Sequence, residues 1–67
     1  MEIFGKRLKE LRQEKNLTQI QLGKIFSVRD TTISAWEKAK TEPSQKTLID
    51  LAKYFNVTVH YLLGIED

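Results

Sequence analysis

The stretch Gln19-Ile20-Gln21-Leu22-Gly23-Lys24-Ile25-Phe26-Ser27-Val28-Arg29-Asp30-Thr31-Thr32-Ile33-Ser34-Ala35-Trp36-Glu37 contains two short segments with apolar residues at helical spacing. Leu17-Thr18 precedes the first, and Leu22 comes four positions after Thr18. That pairing is a hydrophobic staple, which fixes how a chain enters a helix. Thr18 and Gln21 add a capping box: the hydroxyl accepts from the exposed amide of Gln21, and the glutamine side chain reaches back. The second segment opens on Val28-Arg29, with Ile33 four positions after Arg29. Arg29 has no acceptor oxygen, so this helix start lacks a side-chain cap. The spacing predicts helices over about 19–26 and 30–38.

Only Ser27 to Arg29 separate the two segments. So short a connection does not let the helices run back antiparallel, and they must cross at a steep angle. A steep crossing needs a small residue where backbones approach, and Gly23 stands there. Leu22, Phe26, Val28, Ile33 and Trp36 would fill the angle. The opposite face of the second segment is then Asp30, Thr31, Ser34, Ala35 and Lys38, which is small and polar. Such a face suits a major groove, where it offers hydrogen bonds to base edges.

Working outward, the staple recurs as Pro43-Ser44 with Leu48 and as Val57-Thr58 with Leu62. These entries predict further helices over about 45–55 and 59–63, the last closed by Gly64 in the left-handed conformation. Phe4, Leu8 and Leu11 form one face of a helix running from residue 2 or 3 to 15. Leu48, Leu51, Ala52 and Phe55 form another. Proline is nearly absent and β-branched residues do not alternate. The reading is an all-α, compact five-helix domain of residues 1–67.

At 67 residues the chain is one small domain. It has no cysteine, hence no disulfide framework and no thiolate metal site. The one histidine, His60, cannot build a metal site alone and is expected on the surface. No nucleophile–base arrangement or glycine-rich phosphate loop appears, so an enzyme is the least favoured class and no cofactor or small-molecule ligand is expected. No apolar run approaches a membrane span, and the charged N-terminal stretch does not read as a signal peptide. Residues 1–40 carry nine Lys/Arg against five Asp/Glu, and residues 41–67 carry two against four. A basic front and an acidic tail suit a polyanion that meets one side only.

Leu17-Thr18-Gln19-Ile20-Gln21-Leu22, Val28, Thr32-Ile33-Ser34-Ala35-Trp36-Glu37-Lys38, Pro43-Ser44 and Leu48 together resemble the phage repressor and Cro family of helix-turn-helix domains, also called the XRE family. Arg7-Leu8-Lys9-Glu10-Leu11-Arg12, Asn56-Val57 and Tyr61-Leu62-Leu63-Gly64 match as well. The likeness covers about residues 6–64, with the helix-turn-helix at about 18–37. It implies a lambda-repressor-like fold and a sequence-specific, double-stranded DNA-binding regulator, foremost a repressor. Its setting would be a prokaryotic or phage-encoded, nucleoid-associated protein of the cytoplasm.

The resemblance also implies roles. Thr18 and Gln19 match positions that contact phosphate at a helix N-terminus. Asp30, Thr31 and Ser34 match positions facing bases, Ala35 stands where a longer residue often reads a further base, and Arg29 places a cation beside the groove; all five are expected on the base-facing side. Lys38, Lys40 and Thr41 match phosphate-contacting positions after the recognition helix. Arg12 and Glu37 match a pair tying the first helix to the end of the third. Trp36 reads as a core anchor, and Tyr54 as a packing residue. Lys6, Lys9, Lys15 and Lys24 read as solubilising.

Three departures stand out. Arg29 replaces a Ser or Thr cap, at about 1 kcal/mol of helix stability. Ser27 and Ala39 stand where glycine is common, so left-handed backbone there would carry strain. Asp30 repels phosphate, yet accepts from a cytosine amino group. Pairing with Arg29, or capping the helix one residue late, are equally open to it. A single short recognition helix reads few base pairs, so a homodimer on a two-fold operator is expected, with half-sites about 34 Å apart. Val59, Tyr61, Leu63 and Ile65 on the last helix are the expected interface; a further domain is the other way to dimerise. The alternative function is a protein-interaction module, an antitoxin or adaptor, with weak DNA affinity.

Overall fold

Three hydroxyl caps and two bare entries, at Met1 and Arg29, start the helices of the computed structural model, which describes residues 1–65. Helix α1 spans Glu2–Glu14, α2 Gln19–Phe26, α3 Asp30–Glu37, α4 Gln45–Phe55 and α5 Val59–Leu63. Thr18 and Gln21 form the full capping box, with the hydroxyl accepting from Gln21 N–H at 3.0 Å and the Gln21 side chain accepting from Thr18 N–H at 2.8 Å. Ser44 accepts from Thr47 N–H, and Thr58 from Tyr61 N–H. Arg29 caps α3 without any side-chain bond. The four stapled helices and the first, placed by its apolar face, stand where the sequence pattern puts them. Two end one residue early, because Lys15 and Lys38 have already left helical geometry, with ψ of 5° and 4°.

The helix ends share one device. Asn16, Ser27, Ala39, Asn56 and Gly64 all have φ between 57° and 73°. Each left-handed residue follows a helix and lets the next amide turn back on it. Leu17 N–H reaches Arg12 O, Val28 reaches Gly23, Lys40 reaches Ala35, Val57 reaches Ala52 and Ile65 reaches His60, all at 2.9–3.1 Å. The left-handed residues bond one turn back as well, as Ala39 N–H does to Trp36 O at 3.1 Å. This is the Schellman motif, which satisfies carbonyls that a helix end leaves bare. Leu17, Val28 and Val57 therefore act twice: each closes one helix and staples the next. Asparagine tolerates left-handed backbone, but serine and alanine do so at a cost.

The core gathers Phe4, Leu8 and Leu11 of α1, Leu22 of α2, Ile33 and Trp36 of α3, Leu51, Ala52 and Phe55 of α4, and Leu62 of α5. Phe26, Val28 and Leu48 are half-buried against it. α2 packs on α3, α1 on both α3 and α5, and α4 on α5. A Cβ added at Gly23 would lie 2.6 Å from the Val28 carbonyl oxygen. Glycine there lets α2 touch the turn that launches α3. Gly5 has a matching role: its Cβ would lie 2.6 and 2.7 Å from the carbonyls of Glu37 and Trp36. The first helix therefore lies directly on the end of α3.

Removing the Cβ from the left-handed site after α3 should help the fold. Ala39→Gly is expected to raise unfolding free energy by about 1 kcal/mol, read from urea denaturation. Gly23→Ala is expected to lower it by about 1–3 kcal/mol through overpacking.

Candidate nucleic-acid interface

The outward side of α3 is small and polar by subtraction: Ile33 and Trp36 are buried, so their opposites face water. Asp30, Thr31 and Lys38 are exposed, and Ser34 and Ala35 are half-buried. Arg29 is exposed at the start of the same helix. Asp30 forms no ion pair with Arg29 and caps no amide among the described residues. Neither of those two uses of its carboxylate occurs. It stands free in the first turn, where a negative charge suits the helix dipole.

The flanks differ in chemistry. On one side is the start of α2. Leu22 N–H makes the first bond back, to Thr18 O at 3.0 Å, and the capping box occupies Gln21 N–H. The amides of Gln19 and Ile20 lie ahead of these bonds, in the region of a helix that attracts anions. On the other side are Lys38, Lys40 and Thr41, all exposed. Lys40 occupies the position that is Leu17 or Val28 in the earlier helix exits. Its backbone is pinned by the bond to Ala35, while its ammonium stays in water.

Beneath this surface three helices meet on one ion pair. Arg12 Nε donates to Glu37 Oε2 at 2.7 Å, and Arg12 Nη2 to Glu37 Oε1 at 3.2 Å. The two side chains are 10% and 4% exposed. Arg12 Nη1 donates to the Leu17 carbonyl at 2.7 Å, and Gln19 Nε2 donates to Glu37 Oε1 at 3.0 Å. The pair joins α1 to α3 and reaches the start of α2. Its link to Gln19 escaped sequence reasoning, because it exists only once α2 and α3 have crossed.

The last helix divides its apolar residues. Val59 and Tyr61 are half-buried against the core. The Arg7 guanidinium lies over the Tyr61 ring, 4.3 Å from its centroid, and Arg7 Nη1 donates to the Tyr61 carbonyl. Leu63 is half-buried and Ile65 is exposed. Gly64 sits against Ile3, itself half-exposed, so α1 adds an apolar residue to this end that sequence spacing did not single out. His60 is exposed, and Tyr54 makes edge-on contacts with Phe26 and Phe55. No helix among the described residues is long and apolar enough to cross a membrane.

An all-helical fold in which α2 and α3 cross over a three-residue turn, with a polar face left outward, is a helix-turn-helix domain. Residues 8–62 match the helix-turn-helix family model, and the chain belongs to that family, in its phage repressor-like, XRE-type branch. It is 42% identical over 64 residues to the HTH-type transcriptional activator BcrR of Enterococcus faecalis, covering 96% of this chain and 31% of that one. It is 34% identical over 62 residues to repressor protein C2 of Salmonella phage P22, covering 92% of this chain and 29% of the repressor. An HTH-type transcriptional regulator of Methanocaldococcus jannaschii is 41% identical over 61 residues, covering 91% of this chain and 92% of its own. The fold matches the P22 c2 repressor solved with a synthetic operator in the presence of thallium. The TM-score is 0.86 at 32% identity, over 98% of this chain and all of that one. The chain spans half or less of the length of BcrR, of the P22 repressor and of the Bacillus subtilis regulator ImmR.

Breaking the ion pair from one side should harm the fold more than removing it whole. Glu37→Ala leaves the Arg12 guanidinium buried and unpaired, and is expected to cost about 3–5 kcal/mol. The double variant R12M/E37L is expected to lose much less. Urea unfolding of both variants checks this.

Proposed function

We propose that this domain is a sequence-specific, double-stranded DNA-binding transcriptional regulator that lays α3 in the major groove as one half of a homodimer. The observation that carries the reading is the likeness, across nearly the whole chain, to a repressor solved on its operator. The layout of side chains supports it. Thr18, Gln19, Lys38, Lys40 and Thr41 are the phosphate contacts on the two flanks. Arg29, Asp30, Thr31, Ser34 and Ala35 face the bases, with Thr31 offering both a hydroxyl and a methyl group. Repression is the direction of control we assign, because blocking a promoter requires only occupancy of DNA. The relatives include an activator and a repressor by name, so a reporter assay with the operator placed at the promoter decides the sign.

The dimer is proposed to form through the end of α5, through Val59, Tyr61, Leu63 and Ile65, beside Ile3, which lies against Gly64. Leu63, Ile65 and Ile3 supply the exposed part of that surface. The setting proposed is the nucleoid of a prokaryotic or phage-infected cell.

Selection from a random duplex pool tests the whole reading. Winners should contain two half-sites about 34 Å apart, and binding should weaken steeply as salt rises. Lys40→Ala should weaken all duplexes alike and reduce the salt slope by about one. Asp30→Asn should change the preferred base at one position per half-site, from cytosine toward adenine. Retention on duplex DNA that ignores salt would instead favour a protein-interaction module. Unaltered base preference in Asp30→Asn would remove Asp30 from the base-reading set.

A further inference from the structure

We propose that Glu37 is a positioning residue for Gln19: it holds the Gln19 amide in its phosphate-binding orientation before DNA arrives. The inference rests on the DNA-binding reading above and deepens it. Gln19 Nε2 donates to Glu37 Oε1 at 3.0 Å. Glu37 is not free to turn, since Arg12 grips both of its oxygens and its side chain is 4% exposed. Arg12 is itself fixed by the Leu17 carbonyl at 2.7 Å. Leu17 lies two residues before Gln19, so the anchor and the anchored side chain belong to the same short segment of backbone.

An amide nitrogen carries two hydrogens. With one committed to Glu37, the direction of the other is set, and so is that of the amide oxygen. They are set at the end of α2 whose first amides are open to an anion. A glutamine loose in water samples many rotamers and must be ordered on binding, which opposes association. A glutamine already ordered avoids that loss, which is preorganisation. The opposite case is a competing bond that DNA must break before Gln19 can serve. The two cases differ in sign, so they separate cleanly.

The experiment is a double-mutant cycle on duplex binding, using the sequence selected from the random pool. In the wild-type background Gln19→Ala should weaken binding about tenfold, and in R12M/E37L only about two- to threefold, because an unheld Gln19 contributes less. Glu37→Gln keeps an acceptor oxygen and should restore most of the tenfold effect. An equal effect of Gln19→Ala in the wild type and R12M/E37L would overturn the proposal, as would a larger effect in R12M/E37L. Side-chain amide relaxation in the free wild-type protein gives a second readout that needs no variant to fold. Gln19 should be rigid while the exposed Gln13 and Gln45 are mobile; equal mobility in all three would also overturn it. A wild type that shows no salt-dependent duplex binding, with Gln19 rigid, would instead bring down the DNA-binding reading and this proposal with it.

Discussion

The guanidinium of Arg12 and the carboxylate of Glu37 are taken out of water at the point where α1, α2 and α3 meet. Burial of two charges is expensive, and attraction between them offsets it only with good geometry and with every remaining hydrogen-bonding position occupied. Here the neighbourhood gives each of the three guanidinium nitrogens and both carboxylate oxygens at least one partner. The Leu17 carbonyl takes a further guanidinium hydrogen, and Gln19 supplies a third donor to the carboxylate. No buried side-chain nitrogen or oxygen among the described residues lacks a partner. The close approach at Gly5 serves the same junction, because it brings α1 onto the carbonyls of Trp36 and Glu37. The angle of α3 therefore rests on a polar contact as well as on the apolar wedge of Leu22 and Ile33.

The helices were readable because their signals are local. A cap and a staple need only a few consecutive residues, and the entries at Thr18, Ser44 and Thr58 each carry both. The exits were less readable. Gly64 announces a left-handed turn, and Ser27 and Ala39 signal one only beside a family habit of glycine. Asn16 and Asn56 adopt the same conformation with no glycine to signal it. Gly5 was silent for a different reason: what it makes room for lies on another helix, far along the chain. Local chemistry is written in sequence, and close approach between distant segments is not.

The candidate site divides along the same line. That the outward face of α3 is polar followed from knowing which residues had to go inward. The exposed lysines after α3 followed from composition and resemblance. The connection from Gln19 to Glu37 required the crossing of α2 and α3 to exist first, and no spacing rule contains it. Asp30 shows the limit in reverse. Its local alternatives, a pair with Arg29 or a late cap, were both reasonable from sequence, and the fold uses neither. A free carboxylate on that face is left for whatever the helix meets.

Val28 accepts a constraint of another kind. Its amide closes α2, and its side chain sits where the next helix is stapled, with no residue between to absorb a change. Leu17 and Val57 are caught in the same way. Substitutions at these joints can be graded by size and polarity, but an added or deleted residue cannot be shared out between the two duties. Lineages of this domain should therefore diverge by replacement across α1 to α3 while keeping their spacing, and accumulate length differences in the longer stretch from Ala39 to Ser44, where closing one helix and opening the next are separate tasks.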